Sequence, residues 1–324
     1  MKKLKFDHFR NFPSIFCGLF ARLVNKLAES LYFEYSEEPT NNECRSVVFI
    51  VGAPRSGSTL LYQVLSDAFD FGYISNVHAK LWGCPTLVEN IFKVFEKRKP
   101  SNYQSVHGKE NGWSSPNECP EFWYRFFKRK PIYAGLSDVE SSKMKLMRRS
   151  LRSFSCACKR PIIFKNLACS LRLSPLASYV PEALFIVLKR NELDVGHSLL
   201  EGRMNVYGTY NKFWSIAPPG IEEILKMPPH EQVIEQTRGI YKKIQDDREM
   251  ICKKRFFDVK YEDFCDDVSG TLLAVQKFFA ANGHALSIKR EVPAKFKRNK
   301  VVKIDNDVFK AMCSYALKSK KKEI

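Results

Sequence analysis

Residues 46–69 place a strand, a glycine-containing loop and a helix in immediate succession, and this order limits the fold more than any other feature of the chain. The first part, Ser-Val-Val-Phe-Ile-Val-Gly, is rich in β-branched residues and predicts a buried parallel strand. The loop Ala-Pro-Arg-Ser-Gly-Ser follows, and residues 59–69 repeat apolar side chains at helical spacing. Because parallel strands need crossover connections, this unit predicts an α/β protein.

Three later segments, residues 160–180, 182–203 and 254–283, show the same alternation of strand and helix. Such alternation predicts a parallel sheet covered on both faces. The expected fold is therefore a three-layer, P-loop-like α/β fold with a central parallel sheet flanked by helices. Residues 100–135 and 205–230 are rich in Pro, Gly, Ser and aromatic residues, and they are predicted as long loops over the C-terminal edge of the sheet.

The chain is expected to divide into three parts. Residues 1–45 contain an amphipathic helix and a linker, residues 46–290 form the α/β domain, and residues 291–324 are a basic segment that packs on that domain or extends from it. In the first part, apolar residues recur at helical spacing between Phe12 and Leu31. This helix is predicted to lie on the domain, with peripheral contact to a membrane surface as the alternative.

Composition limits the class of partner and the cellular compartment that are expected. The formal net charge of +18 favours an anionic partner such as a nucleotide, an acidic glycan, nucleic acid or a membrane surface. No RNA-binding aromatic motif or helix-turn-helix pattern stands out, so no nucleic-acid partner is expected, and a non-catalytic binding protein is kept only as an alternative. The ten cysteines are scattered, which indicates free thiols in a reducing compartment. No apolar run reaches the length of a bilayer span, so a cytoplasmic protein is expected.

The loop after the first strand resembles a phosphate-binding loop with one replacement. From Gly52 it reads G-x-x-x-x-G, but Ser58 stands where a nucleotide-binding P-loop has lysine. In addition, the strand at residues 183–189 does not end in an aspartate that could hold magnesium. Both differences disfavour the alternative of a small-molecule kinase. The loop N–H groups and the Arg55 guanidinium instead suit an anion that needs no metal.

A second anion site is predicted near Arg190. This arginine follows a buried strand, and Ser198 lies eight residues later, about two turns into the next helix. The carboxyl ends of parallel strands form the edge at which α/β proteins bind ligands. The sequence therefore predicts two anion sites on one edge of the sheet.

Together these segments resemble the sulfotransferases that use 3′-phosphoadenosine 5′-phosphosulfate, especially bacterial members, over roughly residues 47–280. "GAPRSGSTLL" is similar to their 5′-phosphosulfate loop, and "FIVLKRNELDVGHSLL" is similar to their 3′-phosphate segment. "FFDVKYEDF" resembles their late Tyr-Glu-Asp strand. The resemblance implies metal-free transfer of a sulfuryl group from this donor to an acceptor oxygen or nitrogen.

The resemblance also implies roles for individual residues. Arg55 and Lys165 correspond to the catalytic cations. The donor-binding residues implied are Pro54, Arg55, Ser56, Gly57, Ser58, Thr59, Arg190, Ser198 and Tyr261. The chain departs from the family at Asn191 and Glu192, which replace the usual aspartate and proline, and it lacks an evident Arg-Lys-Gly closing loop. Lys297 and Arg298 either substitute for that loop or belong to a solvated basic stretch.

The general base and the acceptor are less constrained. The family places its base directly after the second lysine or after the second strand, and here Asn166 and Leu167 follow Lys165. His78 is predicted as the base, with Glu118 and Glu121 as alternatives. Tryptophans in the loops suit sugar rings, although clustered aromatic residues also form cores. The expected acceptor is a hydroxyl on a saccharide or glycolipid, with a small-molecule hydroxyl or amine as the alternative.

Overall fold

A parallel four-stranded sheet lies at the centre of the structure, which is a computed structural model that describes residues 23–28, 30, 45–92, 100–103, 112–298 and 301–320. The strands are β1 (Val47–Gly52), β2 (Ile162–Lys165), β3 (Ala183–Lys189) and β4 (Phe256–Lys260). Their spatial order is β2-β1-β3-β4, and each neighbouring pair is parallel. The predicted parallel sheet is thus confirmed, with β1 and β3 in its middle.

Helices connect the strands and follow the last of them. Between β1 and β2 lie α1 (Ser58–Ala68), α2 (Asn76–Lys80), α3 (Pro85–Phe92), α4 (Pro120–Trp123) and α5 (Ser141–Cys158). Between β2 and β4 lie α6 (Leu173–Tyr179), α7 (Glu192–Tyr207), α8 (Ile221–Ile224) and α9 (Pro229–Glu249). After β4 come α10 (Tyr261–Asp266), α11 (Val268–Ala281) and α12 (Asn306–Lys320). Short 3₁₀ helices occupy Leu136–Asp138, Leu167–Leu171 and Lys253–Arg255.

Two hydrophobic clusters cover the two faces of the sheet. Along β1, Val47, Phe49 and Val51 belong to one cluster, while Val48 and Ile50 belong to the other. Side chains of α5, α6, α7 and α9 fill the first cluster, and side chains of α1 and α11 fill the second. Because alternate residues of a strand point to opposite faces, every side chain of β1 is buried. The three-layer arrangement predicted from the sequence is confirmed.

The register of the strands brings the chemically important loops together. Gly52 at the end of β1 lies opposite Leu188 of β3, and Ile50 lies opposite Lys165 at the end of β2. The segments that follow β1, β2 and β3 therefore leave the sheet at the same edge. This C-terminal edge is where open α/β sheets bind ligands.

The two long loops predicted over this edge are partly helical. Helix α7 extends to Tyr207 and ends where Gly208 adopts a φ of 69°, and α8 interrupts the segment after it. Residues 112–119 form an irregular segment that enters α4. The long helices α5, α9 and α12 were not predicted as helices from the sequence.

The two ends of the chain differ in how much of them the structure describes. Most of the predicted N-terminal amphipathic helix lies outside the described residues, because only 23–28 and 30 of this region are included, and they are helical. At the other end, α12 packs against α7 and α9, and Arg238 donates to the carbonyl of Ala316. Among the described residues, no helix is both long enough and apolar enough to cross a bilayer.

Candidate active site

The loop between β1 and α1 has the backbone geometry of an anion-binding loop. Arg55 has a φ of 65° and Gly57 a φ of 92°, so the chain turns sharply before α1 begins at Ser58. Gly57 precedes the helix and offers no side chain to cap it. The first N–H groups of a helix lack intrahelical acceptors, and the helix dipole adds positive charge there. The N-terminus of α1 is therefore suited to receive an anionic oxygen.

A glycine is required at position 57 because Tyr261 packs directly against it. A Cβ atom added to Gly57 would lie 2.2 Å from a ring carbon of Tyr261, at the start of α10. The same ring lies under the guanidinium of Arg190, whose Cζ is 4.6 Å from the ring centroid. Burial raises the pKa of Tyr261 to about 12, so its hydroxyl stays protonated. Tyr261 thus packs against both predicted anion sites, at Gly57 in one and at Arg190 in the other.

The two predicted anion sites form one hydrogen-bonded unit. The Nη1 atom of Arg190 donates to the backbone carbonyl of Arg55 at 3.0 Å. In return, the Nε atom of Arg55 donates to the Oγ atom of Ser198 at 2.9 Å. Asn191 accepts from the amide of Leu193 at the start of α7, so the helix begins where the sequence predicts despite the loss of the family's proline.

This unit is positively charged and only partly compensated. Burial lowers the pKa of Arg55, Glu201 opposes that shift, and the neighbouring charge of Arg190 adds to it. The Nε atom of Arg190 lies 3.8 Å from Asp194, which is too long for a hydrogen bond. This atom and the Oγ atom of Ser56 are buried without a hydrogen-bond partner among the described residues. A buried donor without an acceptor costs about 1–3 kcal/mol, so both atoms favour a bound anion.

Lys165 links the phosphate-binding loop to a carboxylate. Its Nζ atom donates to the Oγ1 atom of Thr59 at 3.0 Å and forms a short ion pair with Glu118. The Nδ2 atom of Asn166 donates to the backbone carbonyl of Glu118 at 3.1 Å, which fixes the chain at that point. Lys165 is buried, whereas Glu118 is partly exposed. The carboxylate therefore faces the solvent-accessible side of the site, and the ammonium lies behind it.

These groups line one cleft with a volume of about 450 Å³. Its walls combine the charged groups with apolar side chains, namely Pro54, Arg55, Gly57, Ser58, Thr59, Leu60, Pro116, Asn117, Glu118, Pro120, Lys165, Leu167, Arg190, Ser198, Trp214 and Ser215. The structure thus brings together most of the predicted site residues, although they come from segments more than 150 positions apart in the chain. The cleft can hold an anionic ligand beside a partly apolar one.

Trp214 is one of the aromatic and apolar residues that line the cleft. Its ring packs on the backbone of Gly202, where an added Cβ atom would lie 2.0 Å from the indole. Gln236 donates to the carbonyls of Trp214 at 3.0 Å and Ile216 at 2.8 Å, which holds this segment against α9. Of the tryptophans considered from the sequence, Trp214 is the one that lines the cleft.

The structure does not bring His78 to the cleft. Only 2% of His78 is exposed, and its Nδ1 atom lies 2.8 Å from the Oγ atom of Ser75. Its Nε2 atom lies 3.3 Å from the Oε2 atom of Glu89. Both ring nitrogens therefore face partners in the interior, and the imidazole helps to fix the start of α2. This position argues against the predicted role of His78 as the base.

Five further predicted residues are not among those that line the cleft, namely Ser56, Glu121, Tyr261, Lys297 and Arg298. Glu121 forms an ion pair with Arg129 on the surface. Arg298 pairs with Asp266 at 3.2 Å, and Lys297 is exposed beside it. The structure therefore separates Glu121 from the cleft and places the basic stretch next to α10, whereas it places Glu118 inside.

Other contacts could not have been found from the sequence. The hydroxyl of Ser170 accepts from the amide of Gly52 at 2.9 Å and donates to its carbonyl at 3.1 Å. Tyr241 donates to the carbonyl of Leu188 at 2.8 Å and thereby fixes the end of β3. Both residues act on backbone groups more than 50 positions away, and no local motif marks them.

Comparison with known proteins agrees with this geometry. The omega-hydroxy-beta-dihydromenaquinone-9 sulfotransferase Stf3 of Mycobacterium bovis is 23% identical over 249 residues, which cover 69% of this chain and 60% of that protein. The Stf3 protein of Mycobacterium tuberculosis matches with the same values. The chain thus spans about 60% of the length of the curated relatives it matches.

Two solved structures share the fold. Sulfotransferase STF1 from Mycobacterium tuberculosis H37Rv superposes with a TM-score of 0.51 at 15% identity, covering 92% of this chain and 78% of that one. Sulfotransferase STF9 from Mycobacterium avium gives a TM-score of 0.52 at 11% identity, covering 90% and 81%. The sequence model described as the sulfotransferase family matches residues 47–282, which include β1 to β4 and every residue that lines the cleft. The chain belongs to the sulfotransferase family.

Proposed function

We propose that this protein transfers a sulfuryl group from 3′-phosphoadenosine 5′-phosphosulfate to an acceptor hydroxyl on a glycolipid or another hydroxyl-bearing lipid. The observation that carries the proposal is the hydrogen-bonded unit of Arg55, Arg190 and Ser198 on the C-terminal edge of the sheet. This unit offers two adjacent sites for anionic groups, and the proposed donor has anionic groups at its 3′ and 5′ positions.

The residues of the cleft fit that donor. The amides of the loop and of the first turn of α1, together with Arg55, suit the 5′-phosphosulfate. Arg190 and Ser198 suit the 3′-phosphate, and the unsatisfied Nε atom of Arg190 supplies a donor for it. When bound, the donor supplies the sulfuryl group through its phosphosulfate linkage. Arg55 would stabilise the negative charge that grows on the departing phosphate, and Lys165 would add a second positive charge nearby.

We infer that Glu118, and not His78, takes the proton of the acceptor hydroxyl. Glu118 lines the cleft, and its ion pair with Lys165 orients the carboxylate. A general base must lie within hydrogen-bond reach of the proton that it removes, and Glu118 meets this condition for a hydroxyl bound between the phosphate-binding loop and Trp214. Asn166 supports this role because it fixes the backbone of Glu118.

A lipid acceptor is supported by the apolar part of the cleft and by one relative. Leu60, Leu167 and Trp214 contribute apolar surface to the cleft. The relative Stf3 is an omega-hydroxy-beta-dihydromenaquinone-9 sulfotransferase. A saccharide that is part of a glycolipid also suits this site, because the indole face of Trp214 can contact a sugar ring.

The proposal is tested by calorimetric titration of the full chain with adenosine 3′,5′-bisphosphate and, separately, with ATP and magnesium. We expect the bisphosphate to bind and ATP with magnesium to bind much more weakly. Arg190→Ala should lower the bisphosphate affinity roughly 10- to 100-fold, because truncation removes a charge-assisted contact. Arg248→Ala serves as the control, since Arg248 pairs with Asp258 and does not line the cleft.

The opposite result would favour the kinase alternative. Binding of ATP with magnesium, without any binding of the bisphosphate, would contradict the proposal. Transfer is then tested with the labelled donor and a soluble, short-chain glycolipid, so that donor binding and transfer are separate readouts.

A further inference from the structure

The helical residues 23–28 expose their apolar side and bury a polar residue. Leu23 and Leu27 are 56% and 55% exposed, whereas Asn25 is fully buried. Each leucine is two positions from Asn25, which corresponds to about 200° around an α-helix. The leucines therefore point away from the protein on the side opposite Asn25. A helix packed on a soluble domain normally shows the reverse pattern.

Specific contacts fix this orientation. The Nδ2 atom of Asn25 donates to the carbonyl of Lys80 at 3.2 Å, and the amide of Gly83 donates to its Oδ1 atom at 2.6 Å. A Cβ atom added to Gly83 would lie 2.1 Å from the backbone carbonyl oxygen of Asn25. The helical segment thus lies directly on the turn between α2 and α3, and rotation about its axis would break both hydrogen bonds.

Helix α3 repeats part of this pattern. Leu87 and Ile91, spaced one turn apart, are exposed, whereas Thr86 and Glu89 are buried together with Val88. Glu89 is held inside by His78, and also by Arg160 at 3.3 Å. Two helical segments that meet at Gly83 therefore both bury polar side chains and expose a pair of aliphatic side chains one turn apart.

The exposed side chains nearby have the composition of a membrane interface. Trp113 is 73% exposed, and the Nζ atom of Lys80 lies 5.4 Å from the centroid of its ring. Lys26 is exposed on the helical segment beside Leu27. Tryptophan and lysine next to aliphatic side chains are typical of surfaces that lie in the headgroup region of a bilayer. We call Leu23, Leu27, Leu87, Ile91 and Trp113 the apolar surface.

A short segment connects the apolar surface to the cleft. Residues 112–118 run beside α2, because the amide of Val77 donates to the carbonyl of Trp113 at 3.1 Å and the amide of Asn76 donates to that of Ser115 at 3.0 Å. The segment ends at Glu118 in the cleft wall. Five residues span at most about 18 Å when fully extended, so Trp113 lies within that distance of Glu118.

We propose that the apolar surface inserts into the headgroup region of an anionic lipid bilayer and thereby presents the cleft to the hydroxyl of a membrane lipid. The positive charge of the chain favours an anionic bilayer as the partner. Lys26 and Lys80 are positive, and the net charge of +18 attracts anionic lipid. The binding step stands on the apolar surface alone, whereas the delivery of an acceptor rests on the proposed function.

The test is co-sedimentation of the full chain with vesicles of phosphatidylcholine mixed with phosphatidylglycerol, and with vesicles of phosphatidylcholine alone. We expect binding to the anionic vesicles that weakens in raised salt. The double substitution Leu87→Ser with Ile91→Ser should lower the partition coefficient roughly tenfold or more, because it removes two inserted aliphatic side chains. The control is Met250→Ser with Leu317→Ser, which changes two apolar residues elsewhere that are more exposed than Leu87 and Ile91.

The control readouts separate this inference from the proposed function. Each variant is first titrated with adenosine 3′,5′-bisphosphate, and unchanged affinity shows that the fold and the donor site are intact. Vesicle binding that disappears only in the α3 variant supports the inference even if no sulfuryl transfer is found. Equal binding by both variants, or no vesicle binding by the wild-type chain, overturns it. A dimer in light scattering that dissociates in the α3 variant would also overturn it, since the surface would then bind a second copy.

Discussion

The two halves of the cleft are built in different ways. The donor half consists of the loop after β1 together with Arg190 and Ser198, and its segments follow central strands directly. Many of its contacts use the backbone, as in the bonds from Arg190 to the carbonyl of Arg55 and between Ser170 and Gly52. The acceptor half consists of residues 116–118 and 214–215, which belong to irregular segments, and of Pro120 at the start of α4. Side chains such as Glu118 and Gln236 join those segments to the rest of the protein.

This difference shows which part of the site the sheet determines. Strand register fixes the donor half, so any chain with these strands and turns will present the same two anion sites. The acceptor half depends on loops, and loops tolerate change without loss of the core. We therefore expect substitutions in the donor half to affect all acceptors alike, and substitutions in the acceptor half to distinguish between them.

The largest effect is expected from Glu118→Gln in the acceptor half. The amide keeps the shape of the carboxylate but cannot take a proton, so kcat should fall about 10²- to 10⁴-fold. Affinity for adenosine 3′,5′-bisphosphate should stay within roughly twofold, because Glu118 is assigned to the acceptor half. Steady-state kinetics and calorimetry measure the two quantities. Glu121→Gln is the matched control, and an equal loss in that variant would exclude Glu118 as the base.

In the donor half, Arg55→Ala should lower kcat about 10²- to 10³-fold for every acceptor tested. The partly buried guanidinium is the cation proposed to stabilise the departing phosphate, and Ser198 would also lose its donor. Arg55→Lys should recover only part of the rate, because an ammonium lacks the planar fork of donors. A loss that depends on the acceptor would break the proposed division between the two halves.

Gly57→Ala tests the backbone of the donor half. The new Cβ atom would overlap the ring of Tyr261, so the free energy of unfolding should fall by about 1–3 kcal/mol, and the bisphosphate affinity roughly tenfold. Gly283→Ala is the control, since Gly283 also has a positive φ of 80° but has open space around it. That variant should lose only about 1 kcal/mol from backbone strain and bind the bisphosphate normally. Equal losses of affinity would show that packing on Tyr261 is unimportant.

Trp214→Ala should raise the KM for a soluble acceptor roughly tenfold, while donor affinity stays unchanged. Trp113→Ala provides a sharp contrast, because Trp113 belongs to the apolar surface and does not line the cleft. It should leave the soluble reaction unaffected and reduce transfer only to an acceptor held in vesicles. If Trp113→Ala impaired the soluble reaction as much as Trp214→Ala, the acceptor half would extend beyond the cleft described above.

The smallest effect concerns His197, which precedes Ser198 on α7. Its Nε2 atom accepts from the amide of Lys303 at 2.9 Å, and burial lowers its pKa below the ordinary value of 6.5. Because the pKa of His197 is lower in the folded than in the unfolded chain, the neutral imidazole stabilises the folded state. This stabilisation is fully present above pH 6.5 and is lost as the pH falls through the folded pKa. Urea denaturation of the wild type and of His197→Gln should therefore show a weaker dependence on acidic pH in the variant. An identical dependence would exclude His197 as the titrating group.

Local sequence patterns were sufficient to predict the sheet and the donor half. The run Val47–Gly52, the glycine-containing loop and the position of Arg190 each carry their signal within a few residues. Strand order and the pairing of Gly52 with Leu188 then follow from the fold. The hydrogen bond from Arg55 to Ser198 shows that the segments of the two predicted anion sites lie side by side.

The acceptor half could not be predicted in the same way. Whether His78 or Glu118 reaches the cleft depends on how the irregular chain after α1 is oriented. No periodic pattern in the sequence predicts that orientation. His78 lies inside, where its Nδ1 atom contacts Ser75 and its Nε2 atom faces Glu89. Trp214 reaches the cleft because Gly202, a helical residue twelve positions earlier, leaves room for its ring. Such contacts depend on the tertiary structure and have no local signature.

The bonds between Arg55, Arg190 and Ser198 have a thermodynamic consequence for ligand choice. Arg190 is bonded to the backbone of Arg55, and the side chain of Arg55 is bonded to Ser198, so filling one anion site reduces the conformational freedom that remains to be lost at the other. The free-energy losses of Arg55→Ala and Arg190→Ala should then be non-additive in a double-mutant cycle. A nucleotide with both phosphates would bind more tightly than the sum of its two ends predicts. Cooperativity within a single ligand would thus let the protein reject AMP, which has the 5′ group and lacks the 3′ group.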